Sequence, residues 1–179
     1  VKPCQLLVRP HFNRFKKDIF NKLRDKKGVA IDSHRITNFL HDKWDPSIDE
    51  IIDFTNSLYY SDIIINHSST LSLDAACFDK PIINLGFGCV FEGGDSSKKD
   101  TTGIFLNQSD HYQWVLETKG TSKVDSLLEL KNQINEYLSN PNSHTQGRER
   151  LRQSLCYTVD GKASQCIATV INTIIKQYE

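Results

Sequence analysis

The sequence predicts an α/β domain: a mostly parallel sheet with helices on both faces, followed by a helical C-terminal segment. Two observations carry this. Through the first two thirds of the chain, short apolar runs alternate with stretches of helical spacing, the pattern of strand–helix–strand units. The runs Asp62-Ile-Ile-Ile-Asn66 and Pro81-Ile-Ile-Asn-Leu85 are continuous rather than alternating, as strands buried on both faces are. At 179 residues and 20.5 kDa the chain has the size of one domain, 1–179, or of one half of a two-domain enzyme.

The elements follow in order. Gln5-Leu-Leu-Val-Arg9 reads as a short buried strand stopped by Pro10. Phe12, Phe15, Ile19, Phe20 and Leu23 recur at helical spacing and form one apolar face. Gly28 closes that helix, and Val29-Ala-Ile31 reads as a second strand. Residues 33–47 are polar and irregular. Pro46-Ser47 opens a helix from Ile48 to Leu58, with Asp49 and Glu50 in the first turn, where negative charge suits the helix dipole. After the strand at 62–66, Ser68-Ser-Thr70 starts a helix to Phe78, and 81–85 is the next strand. Residues 86–103 form a long loop rich in glycine, serine and charge, expected to be mobile. A short strand near Lys123-Val124 then precedes helices over 126–138, 144–156 and 163–177.

Composition narrows the function. Twenty-two basic residues balance 22 acidic ones, which argues against the basic footprint of a nucleic-acid binder. No apolar run approaches the roughly 20 residues of a spanning helix, and the first residues do not read as a signal peptide. The five cysteines, Cys4, Cys77, Cys89, Cys156 and Cys166, are scattered and odd in number, as thiols of a reducing compartment are. A cytoplasmic location is therefore expected. Cys77 and Cys166 lie in apolar patterns and read as core residues. The chain holds no methionine and starts with Val1, so it is expected to be a piece of something longer. Charge is uneven: residues 1–27 carry nine basic and two acidic residues, and 45–79 carry seven acidic and no basic ones. The plainer reading is two solvated helix faces. The sharper one is a basic surface that meets an anionic acceptor or the inner face of an anionic membrane.

The chemistry concentrates in 62–84, which reads strand, hydroxyl turn, helix, strand. A helix N-terminus beyond the C-terminal end of a parallel strand offers N–H groups and a dipole to an anion. Ser68, Ser69 and Thr70 add three hydroxyls there. Asp74 follows Thr70 by four residues and shares its helix face. A carboxylate one turn beyond a phosphate suits ribose hydroxyls, so the set describes a nucleotide cradle. The competing explanation is ordinary: serine and threonine are common helix caps, and Asp74 could be a solvated helix residue. Arg9 and His11 alternate at the end of the first strand, where the ligand crevice of an open α/β sheet lies. An arginine can grip phosphate with two prongs, and a histidine can move a proton near neutral pH. On residue type alone, a surface arginine and a satisfied loop histidine are the plainer reading. Gly86-Phe-Gly88 lacks the third glycine of a dinucleotide fingerprint, and no P-loop, G-x-S-x-G or H-E-x-x-H occurs. The six histidines show no metal-ligand spacing, so no metal is expected.

The stretch SDIIINHSSTLSLDAACFDKPIINLGF resembles the nucleotide-binding signature in the C-terminal half of GT-B glycosyltransferases. It is closest to the CDP-glycerol glycerophosphotransferase-like and surface-polysaccharide transferases. LLVRPH resembles that family's first strand, and WDPSIDEIIDFTNSLYYSD the helix before the signature. His111-Tyr112, Leu130-KNQINEYLSNP141, Arg148-Glu-Arg150 and Asp160-Gly-Lys-Ala-Ser164 resemble its later segments. Where the family more usually has Asp-Tyr before the serines, this chain has Asn66-His67.

The resemblance implies a Rossmann-like domain, the donor-binding half of a GT-B transferase. In it Ser68, Ser69 and Thr70 would hold the donor phosphates and Asp74 the ribose. Arg9 and His11 would face the leaving diphosphate, with His67 and His111 as further candidates. The partners implied are a nucleotide-activated sugar or polyol phosphate and the N-terminal half of the same protein, with no cofactor. The rivals are a non-catalytic nucleotide- or phosphate-binding module and a UDP-sugar epimerase-like enzyme on the same fold. The epimerase would need a carboxylate pair placed for sugar chemistry, and no such pair stands out.

Overall fold

The computed structural model describes residues 3–10, 22–32, 46–88 and 108–178. The helix expected over 12–23, except its last two residues, lies outside the described residues, as do residues 33–45 and the long loop beyond Gly88. The chain is α/β and divides into two compact units, Val1–Phe54 and Thr55–Glu179.

In the first unit, β1 (Leu6–Val8) pairs in parallel with β2 (Val29–Ile31), Leu7 opposite Ala30. Gly28, at φ +81°, turns the chain into β2, and its carbonyl accepts from Leu6 N at 2.8 Å. The burial expected of β1 is not met: Leu6 and Leu7 are 47% and 45% exposed. Among the described residues this sheet has two strands, so each strand keeps an open edge. Helix α1 (Ile48–Tyr60) starts on a reciprocal capping box. Ser47 N donates to Glu50 Oε2 at 2.8 Å, and Glu50 N donates to Ser47 Oγ at 3.2 Å.

The second unit holds a parallel sheet in the order β3–β4–β5. Its elements are β3 (Ile64–Asn66), α2 (Leu71–Cys77), β4 (Ile82–Leu85), α3 (Asp110–Glu117), β5 (Ser122–Val124), α4 (Leu127–Ser139) and α5 (Thr145–Leu151). A π-helical turn (Arg152–Cys156) and α6 (Ala163–Lys176) complete it. Strand alternation sorts the two faces. Ile65 and Ile83, paired in register, point with Leu85 and Val124 toward Tyr137, Leu130 and Ile134 of α4. Asn66 and Asn84, also paired in register, point the other way, toward Ser72 of α2, which bonds Tyr112 of α3. Helices therefore cover both faces, and β4, with Ile82 and Ile83 fully buried, is the centre of the core. Burying two such side chains contributes about 3–6 kcal/mol.

Four sequence expectations need correction. The helix expected from Ser68 begins at Leu71, because Ser68 takes φ +40° and the chain turns before it coils. The helix expected over 144–156 is α-helical only to Leu151 and continues as the π-helical turn. Helix α3 was not foreseen: it is eight residues long, and only Tyr112 and Val115 of it are buried. Cys166, read as a core residue, is exposed on α6. There Ile167, Val170, Ile171, Ile174 and Ile175 are each about half exposed as well.

Candidate functional site

The hydroxyl turn sits at the C-terminal end of β3, and its shape is set by Asn66. That residue is 9% exposed. Its Oδ1 accepts from Ser69 N at 3.1 Å, closing a side-chain-to-backbone turn over the two residues between. Its Nδ2 donates to Ser72 Oγ at 3.2 Å. Ser72, fully buried, continues the chain to Asn84 Oδ1 at 3.3 Å and Tyr112 OH at 2.9 Å. The phenol is held protonated: burial pushes the Tyr112 pKa up to about 12, against smaller opposing hydrogen bonds from Ser72 and Asn84. Four elements thus converge on one polar network beneath the turn. None of Asn66, Ser72, Asn84 and Tyr112 stands out in the sequence as a network member, because the bond from Ser72 to Tyr112 spans 40 residues.

Above that network the turn is tight. Ser69 Oγ accepts from Leu71 N at 3.2 Å, while Ser72 N and Leu73 N reach the carbonyls of Ser69 and Thr70 at 2.9 and 2.8 Å. The first N–H groups of α2 are therefore engaged locally, contrary to the expectation that they stand open to an anion. Thr70 occupies the cap position in helical conformation and makes no side-chain cap bond. The simple capping explanation accounts for Ser69 and not for the other two hydroxyls. Ser68 is 8% exposed at φ +40°, and its Oγ is enclosed with no hydrogen-bond partner. His67 Nδ1 and Asn84 Nδ2 are enclosed and unpartnered in the same way. Such groups cost roughly 1–3 kcal/mol each unless a ligand or water meets them. The left-handed backbone at Ser68 adds about 1–2 kcal/mol.

Asp74 lies one helical turn beyond Thr70, and its N–H reaches Thr70 O at 3.3 Å. The residue is exposed, yet its carboxyl is crowded enough that desolvation raises its pKa above the ordinary 3.8. Cys156 is among its neighbours. Burial pushes that thiol's pKa up to about 11, with Cys77 and the Asp74 charge adding to the rise. His111 is exposed in the first turn of α3, beside buried Tyr112.

Ser68, Ser69, Thr70 and Asp74 are thus gathered on β3, α2 and the turn between them. Arg9 belongs to the first unit. There it meets Asp32 Oδ2 at 3.1 Å and Asp53 O at 3.3 Å and lies over the Phe54 ring at 5.5 Å. His11 lies outside the described residues. Gly86, read only as half of a failed fingerprint, has a packing role. A Cβ there would stand 2.1 Å from Asp125 Oδ1, and its N–H reaches Val124 O at 2.7 Å. Among the described residues no group of three His, Cys, Asp or Glu side chains gathers to hold a metal. Comparison with known proteins found no matching family model, no matching curated protein and no matching solved structure.

Proposed function

We propose that this chain is the donor-nucleotide-binding half of a GT-B type glycosyltransferase or polyol-phosphate transferase of surface polysaccharide or glycoconjugate synthesis. The observation that carries the proposal is the turn after β3. It lies at the C-terminal edge of a parallel sheet, where ligands of open α/β sheets bind. It encloses two side-chain groups, Ser68 Oγ and His67 Nδ1, that have no partner. The serine-rich signature and the order of the other segments support the same reading.

In this proposal the diphosphate of the donor meets Ser68, Ser69 and Thr70, and the ribose hydroxyls meet Asp74. With a sugar donor, an acceptor hydroxyl attacks the anomeric carbon, gives up its proton to solvent, and the bond to the nucleoside diphosphate breaks. With a polyol-phosphate donor, the hydroxyl attacks the β phosphorus, gives up its proton likewise, and the nucleoside monophosphate leaves. Negative charge grows on the departing nucleotide, and the hydroxyl donors of the turn stabilise it. Because Asn66 and Ser69 hold the turn in shape before the reaction, its donors need little reorganisation as the charge develops.

The test is thermal stabilisation of the full-length protein by CDP, UDP, GDP and ADP. A ligand at 100 times its dissociation constant adds about 2.7 kcal/mol. One diphosphate should raise the melting temperature, and both Ser69→Ala and Asp74→Ala should abolish the rise. If no nucleotide stabilises the protein, the reading is wrong. If a nucleotide binds but its activated sugar or polyol is never consumed with any acceptor, the chain is a binding module.

A further inference from the structure

A second region also has an enclosed hydroxyl without a partner, and it lies at the opposite edge of the sheet. Lys119, Gly120 and Thr121 lead into the N-terminal end of β5, whereas the hydroxyl turn follows the C-terminal end of β3. There a groove of about 400 Å³ is lined by Leu116, Lys119, Thr121, Ser122, Lys123 and His144. Among the described residues no acidic side chain lines it. Thr121 is 8% exposed, and its Oγ1 is enclosed without a hydrogen-bond partner.

The walls are rigid. Gly120 and Gly147 touch backbone to backbone: a Cβ on Gly147 would stand 2.0 Å from Lys119 O, and one on Gly120 would stand 2.7 Å from Gly147 O. Thr118 Oγ1 accepts from Gly120 N at 3.1 Å, and Arg150 Nε donates to Thr118 O at 3.0 Å. The His144 ring is fixed by Tyr137, whose OH is 2.8 Å from Nδ1. Burial pushes the Tyr137 pKa up to about 12, so the phenol keeps its proton and can donate it to Nδ1. In the tautomer where Nδ1 accepts, the ring proton is on Nε2, and that nitrogen is a donor. Lys123 is paired with Asp125 at 2.9 Å, so the positive charge of the groove rests on Lys119.

We infer that this groove is a second ligand site, for a phosphate or phosphomonoester, built from Lys119, Thr121 and His144. Two side chains that donate and one mobile ammonium suit a tetrahedral oxyanion, and Leu116 offers an apolar wall to whatever the phosphate carries. The site does not depend on the hydroxyl turn or on the donor reading.

The experiment is a titration of the full-length ¹⁵N-labelled protein at constant ionic strength with inorganic phosphate and, separately, with phenyl phosphate. Saturable shifts should centre on the amides of Gly120, Thr121, Ser122 and Lys123. Lys119→Gln, at an exposed position, should weaken binding about tenfold, the loss of one charge-assisted bond. Thr121→Val should weaken it similarly, and Thr121→Ser should restore it. Asp74→Ala, which tests the donor site, should leave these shifts unchanged. Tighter binding of phenyl phosphate identifies an organic phosphomonoester as the ligand, and tighter binding of inorganic phosphate identifies the free ion. Shifts that never saturate, that map only to residues 66–74, or that survive Lys119→Gln at full affinity overturn the inference.

Discussion

Two buried polar clusters flank the three-stranded sheet, one at each edge, and they are finished differently. At the N-terminal edge stands Arg148, 1% exposed. Its Nε meets Asp79 Oδ1 at 2.8 Å, its Nη1 meets Ser143 O at 2.7 Å, and its Nη2 meets Pro141 O at 3.2 Å and Thr145 Oγ1 at 2.9 Å. Every nitrogen of the guanidinium is used. Arg152 joins the same carboxylate at 3.4 Å and caps Ala76 O at 3.0 Å. At the C-terminal edge the network under Asn66 is just as buried, but it ends in the unpartnered Ser68 Oγ, His67 Nδ1 and Asn84 Nδ2. A saturated polar cluster fixes structure, because any ligand would have to break bonds to enter. An unsaturated one leaves donors whose partner must come from elsewhere.

The contrast can be broken or sharpened by measurement, beginning with Arg148. Arg148→Met should cost about 3 kcal/mol in denaturant unfolding, since it removes a buried guanidinium's ion pair with Asp79 and leaves two carbonyls bare. A loss under 1 kcal/mol would mean that the cluster is not structural. The next largest effect is alkaline. Tyr112 has a raised folded pKa, about 12 against 10.0, so its contribution to stability is fully present below pH 10 and is lost as pH climbs to about 12. That loss is on the order of 2 kcal/mol, and Tyr112→Phe should remove it from the pH dependence of unfolding. An unchanged alkaline slope would show that the phenol already ionises in the folded chain. The smallest effect has the opposite sign. Ser68→Ala deletes an enclosed hydroxyl without a partner, so stability should hold or rise by up to about 1 kcal/mol, while nucleotide binding falls. Destabilisation of 2 kcal/mol or more would reveal an internal partner and erase the difference between the two edges.

The same contrast explains what could be read from the sequence. Strands β3 and β4 were legible because Ile63 to Ile65 and Ile82-Ile83 are unbroken apolar runs. Helix α1 was legible from Ser47 and Glu50, whose cap is complete within four residues. Helix α4 was equally local, with Ser126 Oγ accepting from Glu129 N at 3.2 Å. The hydroxyl turn could be located, because three hydroxyls after a buried strand are visible as a string. Its internal wiring could not. Arg148 stands in an Arg-Glu-Arg string that gives no sign of burial, and its partner Asp79 lies 69 positions away. Gly120 and Gly147 give no signal alone, since their meaning lies in touching each other. Local chemistry writes caps and strands into adjacent letters. Polar burial is decided by residues that meet only after folding.

Helix α6 carries one more consequence. All 14 of its residues are exposed, and seven of them are β-branched: Ile167, Thr169, Val170, Ile171, Thr173, Ile174 and Ile175. Branching at Cβ lowers intrinsic helicity, and about 14 residues is close to the shortest helix that holds together unaided in water. Thr169 and Thr173 turn their hydroxyls back to the carbonyls four residues earlier, each at 2.9 Å, which does nothing to tie the helix to a neighbour. The amides of α6 should therefore exchange with solvent through local fraying, on a clock set by this segment alone. Those of β4 wait for the whole sheet to open. One polypeptide thus keeps two kinetic regimes, a slow core and a fast terminal helix, divided near Tyr157.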